Sequence, residues 1–155
     1  VRLADFFRMK SISKNKKAFH DYFIEERFEA GLVLRGSEVK SMRQTNPSLV
    51  EAYAMIRNGE AWLVGLYVPT IQHASYQNHP ERRERKLLLN AKEIKRLDAA
   101  TRQKGYTLVP LDLYFNDDNR LKIEIGVAKG KAFHDKRHSA KEADAKREIA
   151  RAVRR

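Results

Sequence analysis

At 155 residues, with 42% hydrophobic content and a formal net charge of +12, the chain can form one domain with a real core, and its charge exceeds what solubility needs. Such a charge points to a polyanionic partner, of which nucleic acid is the commonest. With no cysteine, disulfides, cysteine-ligated zinc, iron–sulfur clusters and thiol catalysis are excluded, which suits a reducing cytosol, and no apolar run approaches the ~20 residues that span a bilayer.

The first residues, VRLADFFRMK, hold no long apolar stretch and do not read as a signal peptide. Met9 is the expected natural start, with residues 1 to 8 as an upstream extension. KSISKNKK, up to residue 17, reads as a flexible basic arm. AFHDYFIEERFEAGLVL then predicts two strands, with Glu29-Ala30-Gly31 as a bend or bulge between them. SEVKSMRQ predicts a short helix with Ser37 as N-cap and Val39 and Met42 turned to the core. Asn46-Pro47 stops it.

EAYAMIR-NG-EAWLVGLYV is the clearest local signal. Asn58-Gly59 between two strand-like runs predicts a type I′ hairpin, because both turn residues need positive φ. Pro69 to Arg85 is polar and irregular, and LLL at 87–89 reads as a short buried strand or turn. Asn90 with Glu93 forms a capping-box pair opening a helix that buries Ile94 and Leu97, with Gly105 as its stop. YTLVPLDLYF is a strand and Asn116 to Asn119 a turn. In RLKIEIGVAK, Leu121, Ile123, Ile125 and Val127 alternate with Arg120, Lys122 and Glu124. The expected fold is mainly β with about two helices. It is a small OB-like antiparallel barrel over residues 18–130, followed by a basic tail from 131 to 155.

Little here reads as catalysis. His134 and His138 are four apart, a spacing that can bind a metal, but Asp135 stands where a zinc-protease helix needs Glu, and the segment is too polar to enclose an ion. Glu25/Glu26 and Asp117/Asp118 are adjacent pairs that point apart or lie in solvent. No Gly-rich phosphate loop occurs. No enzyme activity, cofactor or metal is expected. Recognition remains: Lys16, Lys17, Arg85 and Lys86 suit phosphate contacts, and Phe19, His20, Tyr22 and Tyr76 lie close to basic groups.

The motifs become specific when taken together. HDYFIEERFEAGLVLRGSEVKSMR, then RKLLLN, then VAKGKAFHDKR closely resemble the SsrA-binding protein (SmpB) family, collinearly from about Asn15 to about Arg147. The resemblance implies a bacterial ribosome-rescue factor, cytoplasmic and monomeric. Its OB-like body binds the tRNA-like domain of transfer-messenger RNA. It also implies delivery of that alanyl-RNA, with elongation factor Tu, to stalled ribosomes. By the same resemblance Glu29 supports the RNA surface, Leu88 and Asn90 contact the RNA, and His20 and Tyr22 lie on that surface. Gly130, His134, Asp135, Lys136 and Arg137 match the motif at the root of the tail, which reaches the decoding centre. Residues 1 to 8 and EIARAVRR fall outside the pattern. A general basic RNA-binding or ribosomal structural protein would share the composition but not these blocks.

Residues 130 to 155 carry nine Lys or Arg against four Asp or Glu, and their only large apolar residues are Phe133, Ile149 and Val153. So little apolar surface does not offset the entropy of ordering a free segment. The tail is therefore expected to be disordered alone and, by the resemblance, helical inside an empty mRNA channel.

Overall fold

The computed structural model describes residues 11–71 and 78–131. The elements are β1 (Ser11–Lys14), α1 (Lys16–Asp21), β2 (Tyr22–Leu32), α2 (Gly36–Gln44), β3 (Tyr53–Arg57), β4 (Glu60–Val64), β5 (Arg85–Leu88), α3 (Ala91–Thr101), β6 (Tyr106–Phe115) and β7 (Leu121–Gly130). Every strand pair is antiparallel. The order is β1-β6-β3-β4-β5-β2-β7, and β7 pairs again with β6, so six strands close into a ring and β1 hangs on β6. The mainly antiparallel β fold is therefore as expected. Closure removes the open edges that an unpaired sheet would expose.

The ring interior is filled by alternate residues of its strands: Ala54, Leu63, Leu87, Leu108, Leu113, Ile123, Ile125 and Val127, all buried. α3 adds Leu97 and Ala100, and α2 adds Met42. Asn58 and Gly59 take φ of 53° and 75°, and Arg57 faces Glu60 across the two-residue turn that Asn-Gly predicts. The Asn90–Glu93 capping box also forms, with Asn90 Oδ1 accepting from Glu93 N at 2.9 Å and Glu93 Oε1 from Asn90 N at 3.1 Å.

Four expectations are corrected. The stretch from Ser11 to Lys17 is no loose arm: Ser11–Lys14 pairs with β6, Ile12 packs against the core, and a third helix, α1, starts at Lys16. One isoleucine in a polar run gave little sign of this, because its partner strand lies some hundred residues away. Second, β2 is one continuous strand. Glu29 to Gly31 is where it keeps β7 on one side and begins to pair with β5 on the other, and the bulge lies at Glu25 instead. Third, α2 is capped from Arg35, whose N–H donates to Glu38 Oε1 at 2.9 Å. Ser37 instead meets His79: Nε2–H of the buried imidazole donates to Val68 O, so Nδ1 accepts the Ser37 hydroxyl at 3.0 Å. Fourth, α3 ends at Thr101, and Gly105 (φ 88°) serves the turn into β6 rather than the helix stop.

One end of the ring is closed by charge rather than by hydrocarbon. Glu38 of α2 and Arg85 of β5 are both 0% exposed and ion-paired, and Arg83 pairs with the other oxygen of Glu38. Arg85 also donates to the carbonyls of Leu66 (2.7 Å), Arg83 (3.0 Å) and Glu81 (3.2 Å). Desolvation pushes the Glu38 carboxyl up. The hydrogen bonds from Arg83, the Arg35 N–H and Arg85 outweigh it, and the group titrates below its ordinary 4.5.

Glu38→Gln would leave two guanidinium groups facing one neutral amide, and it is expected to lower stability by about 3–5 kcal/mol in urea denaturation. Because the folded carboxyl titrates below the unfolded one, its contribution is present above pH 4.5 and fades as pH falls through the folded value. The stability gap between wild type and variant should therefore narrow in acid; a gap constant with pH would contradict the assignment.

Candidate nucleic-acid interface

The interface begins with a buried asparagine. Asn15 accepts from Ala18 N–H at 3.2 Å, which caps α1, and its Nδ2 donates to Pro110 O at 2.9 Å. Ala18 packs with Val109, Leu111 and Ala128 on the outer face of β6 and β7, with Tyr22 and Ile24 beside them. This small second core fixes α1 on the ring and turns Lys16, Lys17, Phe19 and His20 to solvent. Phe19 is 42% exposed, and the Arg27 guanidinium sits over its ring at 5.3 Å. Lys131, the first residue after β7, donates to Phe19 O at 3.3 Å and lies 5.2 Å from the Phe23 ring centroid.

From Arg27 the outer face of β2 leads to Glu29, then to Gly31, whose partner on β5 is Leu88. A Cβ at Gly31 would stand 3.3 Å from Leu88 Cβ, so the glycine gives the leucine its room. Leu88 is 53% exposed, which answers the core-or-surface ambiguity of the sequence: the inward residue of LLL is Leu87. Asn90 follows as the α3 cap, itself exposed. The structure thus brings Lys16, His20 and Tyr22, then Glu29, then Leu88 and Asn90, onto one continuous strip. Arg27 and Phe19 join its halves, and no motif or spacing in the chain distinguishes Arg27, Phe23 and Lys131.

Glu29 faces Glu124 directly across the sheet, and Glu124 faces Asp112 on the next strand. Three aligned carboxylates repel unless each is compensated. Tyr114 OH donates to Glu29, Arg27 pairs with Glu124 at 3.3 Å, and the Ser11 hydroxyl donates to Asp112. Arg27, two residues from Glu29 in the chain, pairs with Glu124 rather than with Glu29, because register, not chain distance, decides which groups meet.

Two expected positions sit elsewhere. Arg85, read as a phosphate contact, lies in the interior; its nitrogens serve Glu38 and backbone carbonyls, so it holds the fold and offers nothing to the surface. Lys86 is at the surface but 3.5 Å from Glu60. Gly130 is the last residue of β7 and pairs with Tyr22. His134, Asp135, Lys136 and Arg137, with Tyr76 and His138, lie outside the described residues.

Comparison with known proteins accords with these features. The SmpB protein family model matches residues 12–155. The SsrA-binding protein of Thermobifida fusca is 53% identical over 146 residues, covering 94% of this chain and 91% of that protein. Those of Bacillus cereus (51%, covering 94% and 93%) and Sphingomonas elodea (48%, covering 99% and 96%) are similar over almost the same length. A solved chain described as "tmRNA-SmpB: a journey to the center of the bacterial ribosome" shares 44% identity and a TM-score of 0.66, covering 77% of this chain and 83% of that one.

The carboxylate row yields a stability test. Tyr114→Phe removes the donor that Glu29 accepts from and is expected to cost about 1–3 kcal/mol in urea denaturation. An unchanged midpoint would mean that solvent satisfies Glu29 equally well.

Proposed function

The chain belongs to the SmpB family of SsrA-binding proteins, and from that premise we propose that it is an RNA-binding ribosome-rescue factor. Its body binds the tRNA-like domain of transfer-messenger RNA. It carries that RNA, charged with alanine and held by elongation factor Tu, to bacterial ribosomes stalled without a sense codon. It works in the cytoplasm, as a monomer and without a cofactor. The observation that carries the reading is the strip from α1 to Leu88 and Asn90, which joins the exposed lysines of α1, exposed rings and a shielded carboxylate. Lysines supply affinity for phosphate. Rings and polar groups such as Glu29, which can accept from a base amino group or a 2′-hydroxyl, supply selectivity for a folded RNA.

The tail supplies the second half. Lys131 leaves β7 beside Phe19 and Phe23, so Asp135, Lys136 and Arg137 start within a few residues of the interface. Asp135, Lys136 and Arg137, with His134, contact the decoding centre, and the residues beyond them occupy the mRNA channel. Ala, Lys, Glu and Arg favour helix there, but an isolated helix of this length is marginal in water. RNA walls supply the phosphates that offset the cost of ordering. A channel filled by mRNA has no room for the tail, so one segment serves as anchor and as vacancy sensor.

The reading is tested by binding to the tRNA-like domain beside an ordinary tRNA. Six to ten phosphate contacts should weaken both by about three to five orders of magnitude between about 50 and 200 mM salt. A preference for the tRNA-like domain should persist at the higher salt, and curves that fall together would reduce the protein to a basic RNA binder. Replacing Asp135, Lys136 and Arg137 together by Ala should leave RNA binding intact and abolish tagging of stalled products. Loss of RNA binding in that variant would contradict the division between body and tail.

A further inference from the structure

A cleft of about 230 Å³ opens between α1 and the turn that precedes β3. It is smaller than the roughly 300–1,000 Å³ of a typical small-molecule site and suits one planar group. Tyr22 and Tyr53 line it, with Lys17, Asp21 and Glu51 at its margins. Tyr53 is 45% exposed. Among the described residues, no hydrogen bond or ion pair engages the Lys17 ammonium or either tyrosine hydroxyl. Each carboxylate has one oxygen engaged: Glu51 Oε2 accepts from Arg82 at 3.0 Å, and Asp21 Oδ1 lies 2.9 Å from His20 Nδ1. The second oxygens are uncommitted.

Aromatic walls, carboxylate acceptors and a cation at the margin are the three parts that single-nucleotide recognition needs. Stacking takes any base, carboxylate oxygens select a base edge that presents donors, and an ammonium meets the phosphate. Carboxylates would repel a phosphate, so they select which end of a nucleotide enters.

We propose that this cleft receives one unstacked base of the bound RNA. Tyr53 and Tyr22 lie against the base, Glu51 or Asp21 accepts from its Watson–Crick edge, and Lys17 meets the adjoining phosphate. The site rests on the RNA-binding reading and deepens it: Lys17 and Tyr22 were expected at the RNA surface, whereas Glu51 and Tyr53 extend that surface to β3.

The test measures binding of the full chain to the tRNA-like domain of transfer-messenger RNA, with ordinary tRNA beside it, at several salt concentrations. Tyr53→Ala and Glu51→Gln should each weaken binding to the tRNA-like domain about tenfold, with the salt slope unchanged, since neither residue meets phosphate. Tyr53→Phe keeps the ring and should bind as wild type. Lys17→Ala should lower the slope by about one unit. Thermal unfolding of each variant separates lost contact from lost fold. If wild type prefers the tRNA-like domain while Tyr53→Ala and Glu51→Gln bind within twofold of it, the cleft proposal is overturned and the RNA-binding reading stands. If wild type shows no preference, both fall.

Discussion

A carboxylate with no exposure, held between two guanidinium groups, is the constraint from which the rest of this structure follows. Glu38 and Arg85 cannot be buried singly, since an unpaired charge in the interior is far costlier than any single contact is favourable. Their pairing therefore locks α2 to β5, and the carbonyls of Leu66, Glu81 and Arg83 close round the remaining nitrogens. Burial pulls Arg85 down, but a guanidinium starts so far above neutrality that it stays charged. With β5 fixed, Leu87 turns inward, Leu88 turns outward and Asn90 falls where α3 must begin.

Ring closure then decides where function can lie. The interior of six closed strands is filled by side chains, so recognition belongs to the outer face. Part of that face is spent on seating α1 through Ala18, Val109, Leu111 and Ala128. Gly126 marks how close the packing is there, because a Cβ on it would meet Leu111 Cδ1 at 2.8 Å. The remaining outer surface of β2 and β5 carries the strip, and the α1–β3 border carries the cleft.

The formal charge of +12 overstates what is available to a phosphate backbone. Arg27, Arg57, Arg82, Arg83, Arg85, Arg96 and Arg102 are all in ion pairs, several with carboxylates distant in sequence. Lys16 and Lys17 of α1, by contrast, have no acidic partner among the described residues. Arginine, with its planar fork, makes most of the ion pairs, while Lys16 and Lys17, flexible point charges, stay unpaired among the described residues. On the proposed reading, a surface made this way draws affinity from few cations and selectivity from the shape around them.

What the sequence determined by itself was local. The Asn58-Gly59 hairpin, the Asn90–Glu93 cap, the alternation of β7 and the collinear motif blocks were all legible, because each is set by neighbours within a few residues. Only the tertiary structure decided which charges are spent and which are offered. Arg85 and Lys86 are adjacent and alike in sequence, yet one is interior and the other at the surface. Glu29 lies beside Arg27 in the chain but meets Tyr114, and β1 and α1 are secured by β6, far along the chain. Register and ring closure bring distant residues together, and in a run of like charges such as Arg85-Lys86 no local pattern encodes which of the two side chains will face the interior.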